Sequence, residues 1–109
     1  MIPTLPQPIA AYFAATNTHD IDAMLERFAD GAIVRDEGRE RRGLAAIRDW
    51  IEETIGKYNY QVAVTDLTEA NGQPVVTGRV SGTFPGSPVD LRHFFTLAHG
   101  RITRLEIRP

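Results

Sequence analysis

Over residues 60–68, 74–84, 89–99 and 101–108, polar and apolar side chains change places almost residue by residue, and many are β-branched or aromatic. That two-residue period belongs to β-strands and is incompatible with the 3.6-residue period of a helix. The breaks between these stretches, Asn71-Gly72, Pro85-Gly86-Ser87-Pro88 and His99-Gly100, have the composition of hairpin turns. The second half of the chain is therefore predicted to be a four-stranded antiparallel meander. Such a sheet cannot stand alone, so the first half must cover it.

The first half has helical spacing. Ile9, Tyr12, Phe13 and Thr16 recur at intervals of three and four and predict a helix, while Pro3, Pro6 and Pro8 predict an extended lead before it. Asn17-Thr18-His19 breaks the pattern. Asp20 is a good N-cap for a second helix with Ile21, Met24, Leu25 and Phe28 on its buried face and an end at Asp30-Gly31. Residues 32–36 then read as a short strand carrying Asp36, followed by a polar turn. Leu44, Ile47, Trp50 and Ile51 predict a third helix that Gly56 closes. Three helices followed by an antiparallel sheet give an α+β architecture with helices on one face. A carboxylate at position 36, past the apolar run Ala32-Ile33-Val34 and walled by the third helix, is expected to be partly desolvated, the setting in which an aspartate becomes a base.

At 109 residues the chain is expected to form a single domain, residues 1–109. Twelve basic and fourteen acidic residues give a net charge of −2, and the basic ones are spread along the chain, so no nucleic-acid partner is expected. The basic run Arg39, Arg41 and Arg42 reads as a solvated loop. With no cysteine, disulfides and thiolate metal sites are excluded. His19 and His99 sit in turns without convergent ligand spacing, so no metal is expected, and no nucleotide or flavin fingerprint implies a cofactor. There is no membrane-length apolar run and no leader pattern, so the expectation is a cytoplasmic protein without a membrane partner.

Both faces of the 89–99 strand carry apolar residues: Val89, Leu91, His93, Phe95 and Leu97 on one, Asp90, Arg92, Phe94, Thr96 and Ala98 on the other. Helices cover only one face, so the second predicts a homodimer. In the preceding strand, Gly78, Val80, Gly82 and Phe84 share a face, and the glycines are expected either to leave room for a pocket or to mark bends.

The opening YFAATNTHDID, the strand FADGAIVRDEG and the helix RGLAAIRDW resemble the nuclear transport factor 2-like superfamily, within it the ketosteroid isomerases and SnoaL-like polyketide cyclases, over residues 9–107. The resemblance implies a cone of helices packed in a strongly curved sheet, a deep pocket, and a homodimer through the outer sheet face. It places Tyr12 at the phenol of the oxyanion hole and Asp36 at the catalytic base of the isomerases, whose chemistry is a known worked case. It also puts Arg92 where the isomerases carry a protonated aspartate, and His93 on the outer face in a structural role. By the same similarity Trp50, Leu105 and Ile107 are expected to line the pocket, and Phe13, Gly78, Val80, Gly82, Asp90 and Phe94 are expected to line it with them.

An arginine inside an apolar pocket requires an acid, and Asp36 and Asp90 are the candidates. Paired with Arg92, Asp36 would have a lowered pKa. The expected function is proton abstraction α to a carbonyl in a small hydrophobic ligand, as in an isomerase or cyclase, with Asp36 as base and Tyr12 and Arg92 holding the enolate. Two alternatives stand beside it: a non-catalytic ligand-binding or interaction domain, and an epoxide hydrolase-like site in which Asp90 and Arg92 join Asp36 in an Asp-Arg-Asp arrangement.

Overall fold

The computed structural model describes residues 4–109, so Met1, Ile2 and Pro3 of the extended lead expected up to Pro8 lie outside them, and Gln7 and Pro8 at its end are helical instead. Helix α1 (Gln7–Asn17) begins before its apolar stripe, with Pro8 in its first turn, where a residue without an N–H leaves no hydrogen bond unmade. Its buried face is Ile9, Tyr12, Phe13, Ala15 and Thr16. Asp20 caps α2 (Ile21–Leu25) as expected, its carboxylate accepting from the Ala23 amide at 3.1 Å. Phe28 is not on this helix. It opens strand β1 (Phe28–Asp36), because pairing with Ile102 of the last strand draws it into the sheet, and Asp30-Gly31 lies inside that strand. Local spacing could not weigh a partner far along the chain.

The polar turn is tighter than predicted. Glu37-Gly38 reverses the chain into β2 (Arg39–Arg42), which pairs with β1 from Asp36↔Arg39 to Ile33↔Arg42, so the basic run is a strand and not a loop. Helix α3 (Leu44–Tyr58) runs through Gly56 and ends at Asn59, which takes a left-handed φ of 45° and donates its amide to the Ile55 carbonyl at 2.8 Å. It buries Ile47, Trp50 and Ile51.

The meander is present as β3 (Gln61–Ala70), β4 (Gln73–Ser81), β5 (Val89–Ala98) and β6 (Arg101–Arg108). The six strands lie in the order β2-β1-β6-β5-β4-β3. All pairs are antiparallel except β1 with β6, which is parallel. Register shifts at Phe28/Ile33, Val64/Asp66 and Thr96/Leu97 bend the sheet. The helices pack on its concave side around Ile9, Met24, Phe28, Ile47, Phe95, Ile102 and Leu105, all 1% exposed or less.

The faces of β5 are the reverse of those the family comparison suggested. His93 and Phe95 point inward, 3% and 0% exposed, with Val89, Leu91 and Leu97 on the same side, while Asp90 and Arg92 are exposed. A sheet that must bury one face buries the one with more apolar surface and leaves the charges in water. Arg92 donates from Nε and Nη2 to the Pro109 carbonyl at 3.3 and 3.2 Å. Asp90 pairs across the strands with Arg79 at 3.2 Å.

Gly78 and Gly82 do not open space as expected; they permit close approach. A Cβ on Gly78 would lie 2.5 Å from Val62 Cγ1, and one on Gly82 would collide with the Tyr58 carbonyl oxygen and come within 3.1 Å of Tyr60 Cα. The first obstacle is a side chain and the second is backbone. Gly82→Ala is therefore expected to destabilise the fold by about 1–3 kcal/mol, read as a lower midpoint in urea with an unchanged slope. An unchanged midpoint would mean that the α3–β3 connection yields freely.

Candidate active site

A cavity of about 730 Å³ opens between the helices and the concave face of the sheet. Its wall takes Tyr12, Phe13 and Thr16 from α1, Trp50, Thr54 and Tyr58 from α3, Tyr60 just before β3, Val62 from β3, Val80 from β4, Val89, Leu91 and His93 from β5, and Glu106, Ile107 and Arg108 from β6. Asp36, Glu37 and Gly38 border it where β1 turns into β2. Helical spacing on α1 and alternation on β3–β5 aim these side chains at one volume. The wall is apolar except at a few positions.

Asp36 is the best-defined of them. It is half-buried at the end of β1, and its Oδ2 accepts a hydrogen bond from the Trp50 indole Nε1 at 3.1 Å. Burial raises its pKa, and the neighbouring Glu37 adds to the rise; the Trp50 hydrogen bond and the charge of Arg41 oppose it. The pairing with Arg92 that would have lowered it is absent, since Arg92 lies on the other side of the sheet. Desolvation prevails.

Two buried phenols share the cavity with this carboxylate. Burial raises the Tyr12 hydroxyl well above its ordinary value, with charges on Tyr60 and Asp36 adding to the rise. Tyr60 is pushed up to about 12, mainly by burial, against a hydrogen bond with Thr54, and it too feels Asp36. Both remain neutral donors at any working pH. His93, 3% exposed, is drawn down to about 4 by burial.

Of the residues expected at the site, Tyr12, Asp36, Phe13, Trp50, Val80 and Ile107 line the cavity together. Leu105 faces inward but is wholly enclosed in the core. Arg92, Asp90 and Phe94 are on the outer face, where the guanidinium carbons of Arg92 and Arg108 stand 5.4 and 4.4 Å from the Phe94 ring centre. An Asp-Arg-Asp arrangement is therefore not assembled, and Arg92 cannot clamp a ligand in this cavity. Tyr60, Thr16 and His93 were not anticipated as site residues. For His93 the sequence carried half of the signal: alternation groups it with Val89, Leu91 and Phe95 but does not say which way that set faces.

Among the described residues, no group of acids and histidines is placed to hold a metal, and no helix is long and apolar enough to cross a membrane. The SnoaL-like domain family matches residues 9–105. The chain belongs to that family. This SnoaL-like domain matches no protein of curated function. Among solved structures, a proposed polyketide cyclase from Sinorhizobium meliloti is 40% identical, with 95% of each chain covered and a TM-score of 0.91. A protein of ketosteroid isomerase-like fold from Catenulispora acidiphila, solved with trimethylamine, is 20% identical over 97% of this chain and 87% of its own, with a TM-score of 0.83. SalBIII, an epoxide hydrolase/cyclase-like enzyme of pyran ring formation in salinomycin, is 23% identical over 93% of this chain and 86% of its own, with a TM-score of 0.80. The last two share the fold with this SnoaL-like domain, a helix-lined cone of nuclear transport factor 2-like type.

Proposed function

We propose that this SnoaL-like protein is an isomerase- or cyclase-type enzyme that removes a proton α to a carbonyl of a small, largely apolar substrate. Asp36 is the base, and the neutral hydroxyls of Tyr12 and Tyr60 hold the developing enolate oxygen. In a cyclase the enolate carbon then attacks a second carbonyl of the same molecule; in an isomerase the proton returns at another carbon. The observation behind the reading is the half-buried Asp36 carboxylate, oriented by the Trp50 indole against an apolar cavity. Desolvation makes a carboxylate a stronger base, and a fixed orientation keeps it in line with a bound C–H bond.

Arg92 lies outside the cavity, and Arg108 at its border is paired with Glu106 at 2.8 Å, so the donors left to the enolate are the neutral hydroxyls of Tyr12 and Tyr60, and the reacting part of the substrate is an uncharged ketone. The 40% identical relative described as a polyketide cyclase accords with that class. The test is exchange of α-hydrogens for deuterium in a panel of cyclic ketones and β-dicarbonyls. Enzyme-dependent exchange is expected, and its absence across the panel would leave the pocket as a binding site only.

We also propose that two copies associate through the outer sheet face, where the half-buried Phe94 ring lies between the guanidinium groups of Arg92 and Arg108. Sedimentation at micromolar concentration is expected to give a dimer; a monomer alone would count against the association.

A further inference from the structure

Leaving aside the tyrosines and Trp50, the buried polar residues among those described are Thr16 and His93, 0% and 3% exposed. Both line the cavity at its enclosed end. Buried polar groups are costly without partners, so where their protons go says what the remaining valence is for. Thr16 Oγ1 donates to the Tyr12 carbonyl at 2.7 Å. His93 Nδ1 lies 3.2 Å from the Val76 carbonyl oxygen. A carbonyl can only accept, so Nδ1 carries the proton of the neutral ring, and Nε2 is left with a bare lone pair. The Leu91 backbone also lies near the ring, but the ring's hydrogen bond is the one at Nδ1, and no wholly buried side-chain nitrogen or oxygen among the described residues lacks a partner. Nε2 therefore opens to the cavity.

The ring is held in place. Phe13 stands edge-on to it at 5.2 Å and 83°, Phe95 stacks at 6.4 Å and 16°, and a Cβ on Gly78 would sit 3.6 Å from its Cε1. Phe13 and Thr16 are one turn apart on α1, so the Thr16 oxygen belongs to the same wall.

We infer that His93 Nε2 is a specificity-determining hydrogen-bond acceptor for the ligand, and that the enclosed end of the cavity takes the hydroxyl end of a hydroxylated ligand, an alcohol or a phenol. A ligand hydroxyl donates its proton to Nε2, and an ether or a hydrocarbon of the same shape cannot. Burial keeps the ring neutral down to about pH 4, so the acceptor persists across the physiological range. The inference deepens the reading of this cavity as the substrate site but does not depend on Asp36 acting as a base.

The experiment is calorimetric binding of 2-naphthol and its methyl ether, 2-methoxynaphthalene, to the wild type and to His93→Phe. The wild type is expected to prefer the naphthol by roughly tenfold, the size of one buried neutral hydrogen bond, and His93→Phe is expected to bind the two equally. Equal affinity for the wild type, no binding of either probe, or a preference retained by folded His93→Phe overturns the inference. Should that variant not fold, ¹⁵N NMR of the wild-type imidazole decides. A protonated Nδ1 with a bare Nε2 that responds to the naphthol and not to the ether supports it, and a protonated Nε2 overturns it. Deuterium exchange scores the base separately: naphthol preference without exchange keeps the acceptor and removes the catalysis.

Discussion

Replacing Asp36 with asparagine is expected to slow α-hydrogen exchange of a bound ketone by about a hundred- to ten-thousand-fold, the usual contribution of a positioned general base. The amide has the shape of the carboxylate and keeps an oxygen that can accept the Trp50 indole N–H, so the wall of the cavity is preserved while the basic electron pair is lost. The melting temperature should shift by no more than a few degrees, because the position is half-buried and the hydrogen bond survives. The pH profile supplies the sign. A carboxylate works as a base only when ionised, and burial raises the folded pKa of Asp36 above the ordinary carboxylate value. Wild-type exchange should thus climb with pH through that raised value and level off above it, whereas the residual rate of Asp36→Asn should show no such step. Equal rates in the two proteins, on a ketone that the wild type turns over, would remove Asp36 as the base.

Acidification should cost the wild type stability that His93→Phe does not lose. In the unfolded chain a histidine titrates near 6.5, while in the fold burial draws His93 down to about 4. Between those values the unfolded chain binds a proton that the folded one refuses. The stability from the neutral buried ring is therefore fully present above 6.5 and is lost as pH falls through the folded pKa near 4. The loss amounts to about 3 kcal/mol from the size of the shift. Asp36 has the opposite sign: its raised pKa favours the fold below its unfolded value, and that contribution disappears as pH rises. Comparing the two proteins at each pH cancels the Asp36 contribution and isolates His93. Urea midpoints at pH 7, 5.5 and 4.5 should show wild type losing ground steadily against His93→Phe. Parallel curves would mean that the folded ring takes up a proton as readily as the unfolded one.

Much of this protein was legible from its residues. The four-stranded meander follows from alternation and from turn residues that few other structures tolerate. The Asp20 cap and the faces of α1 and α3 follow from helical spacing, and Asp36 could be singled out as a desolvated carboxylate because an apolar strand leads to it and an apolar helix follows. These are properties of neighbours in the chain, set by steric and hydrogen-bonding rules that act over a few residues. The resemblance of the YFAATNTHDID, FADGAIVRDEG and RGLAAIRDW segments extended that legibility to the cone itself.

What the sequence could not decide is which way β5 faces. Alternation defines two sets, Val89-Leu91-His93-Phe95 and Asp90-Arg92-Phe94-Thr96, and is silent on which looks inward, because a one-residue difference in register exchanges them. Motif similarity placed Arg92 inside. Pairing with β4 and β6, at Val76↔His93 and His93↔Ile107, places His93 there instead. The strand conversion of Phe28, the parallel β1–β6 pair and the close packing at Gly82 are non-local in the same way. The residues of the strand determined that it would have two unlike faces; the free energy of covering the more apolar one with α1, and of leaving Arg92 and Asp90 in water, determined that β5 turns the imidazole of His93, and not the guanidinium of Arg92, to the cavity.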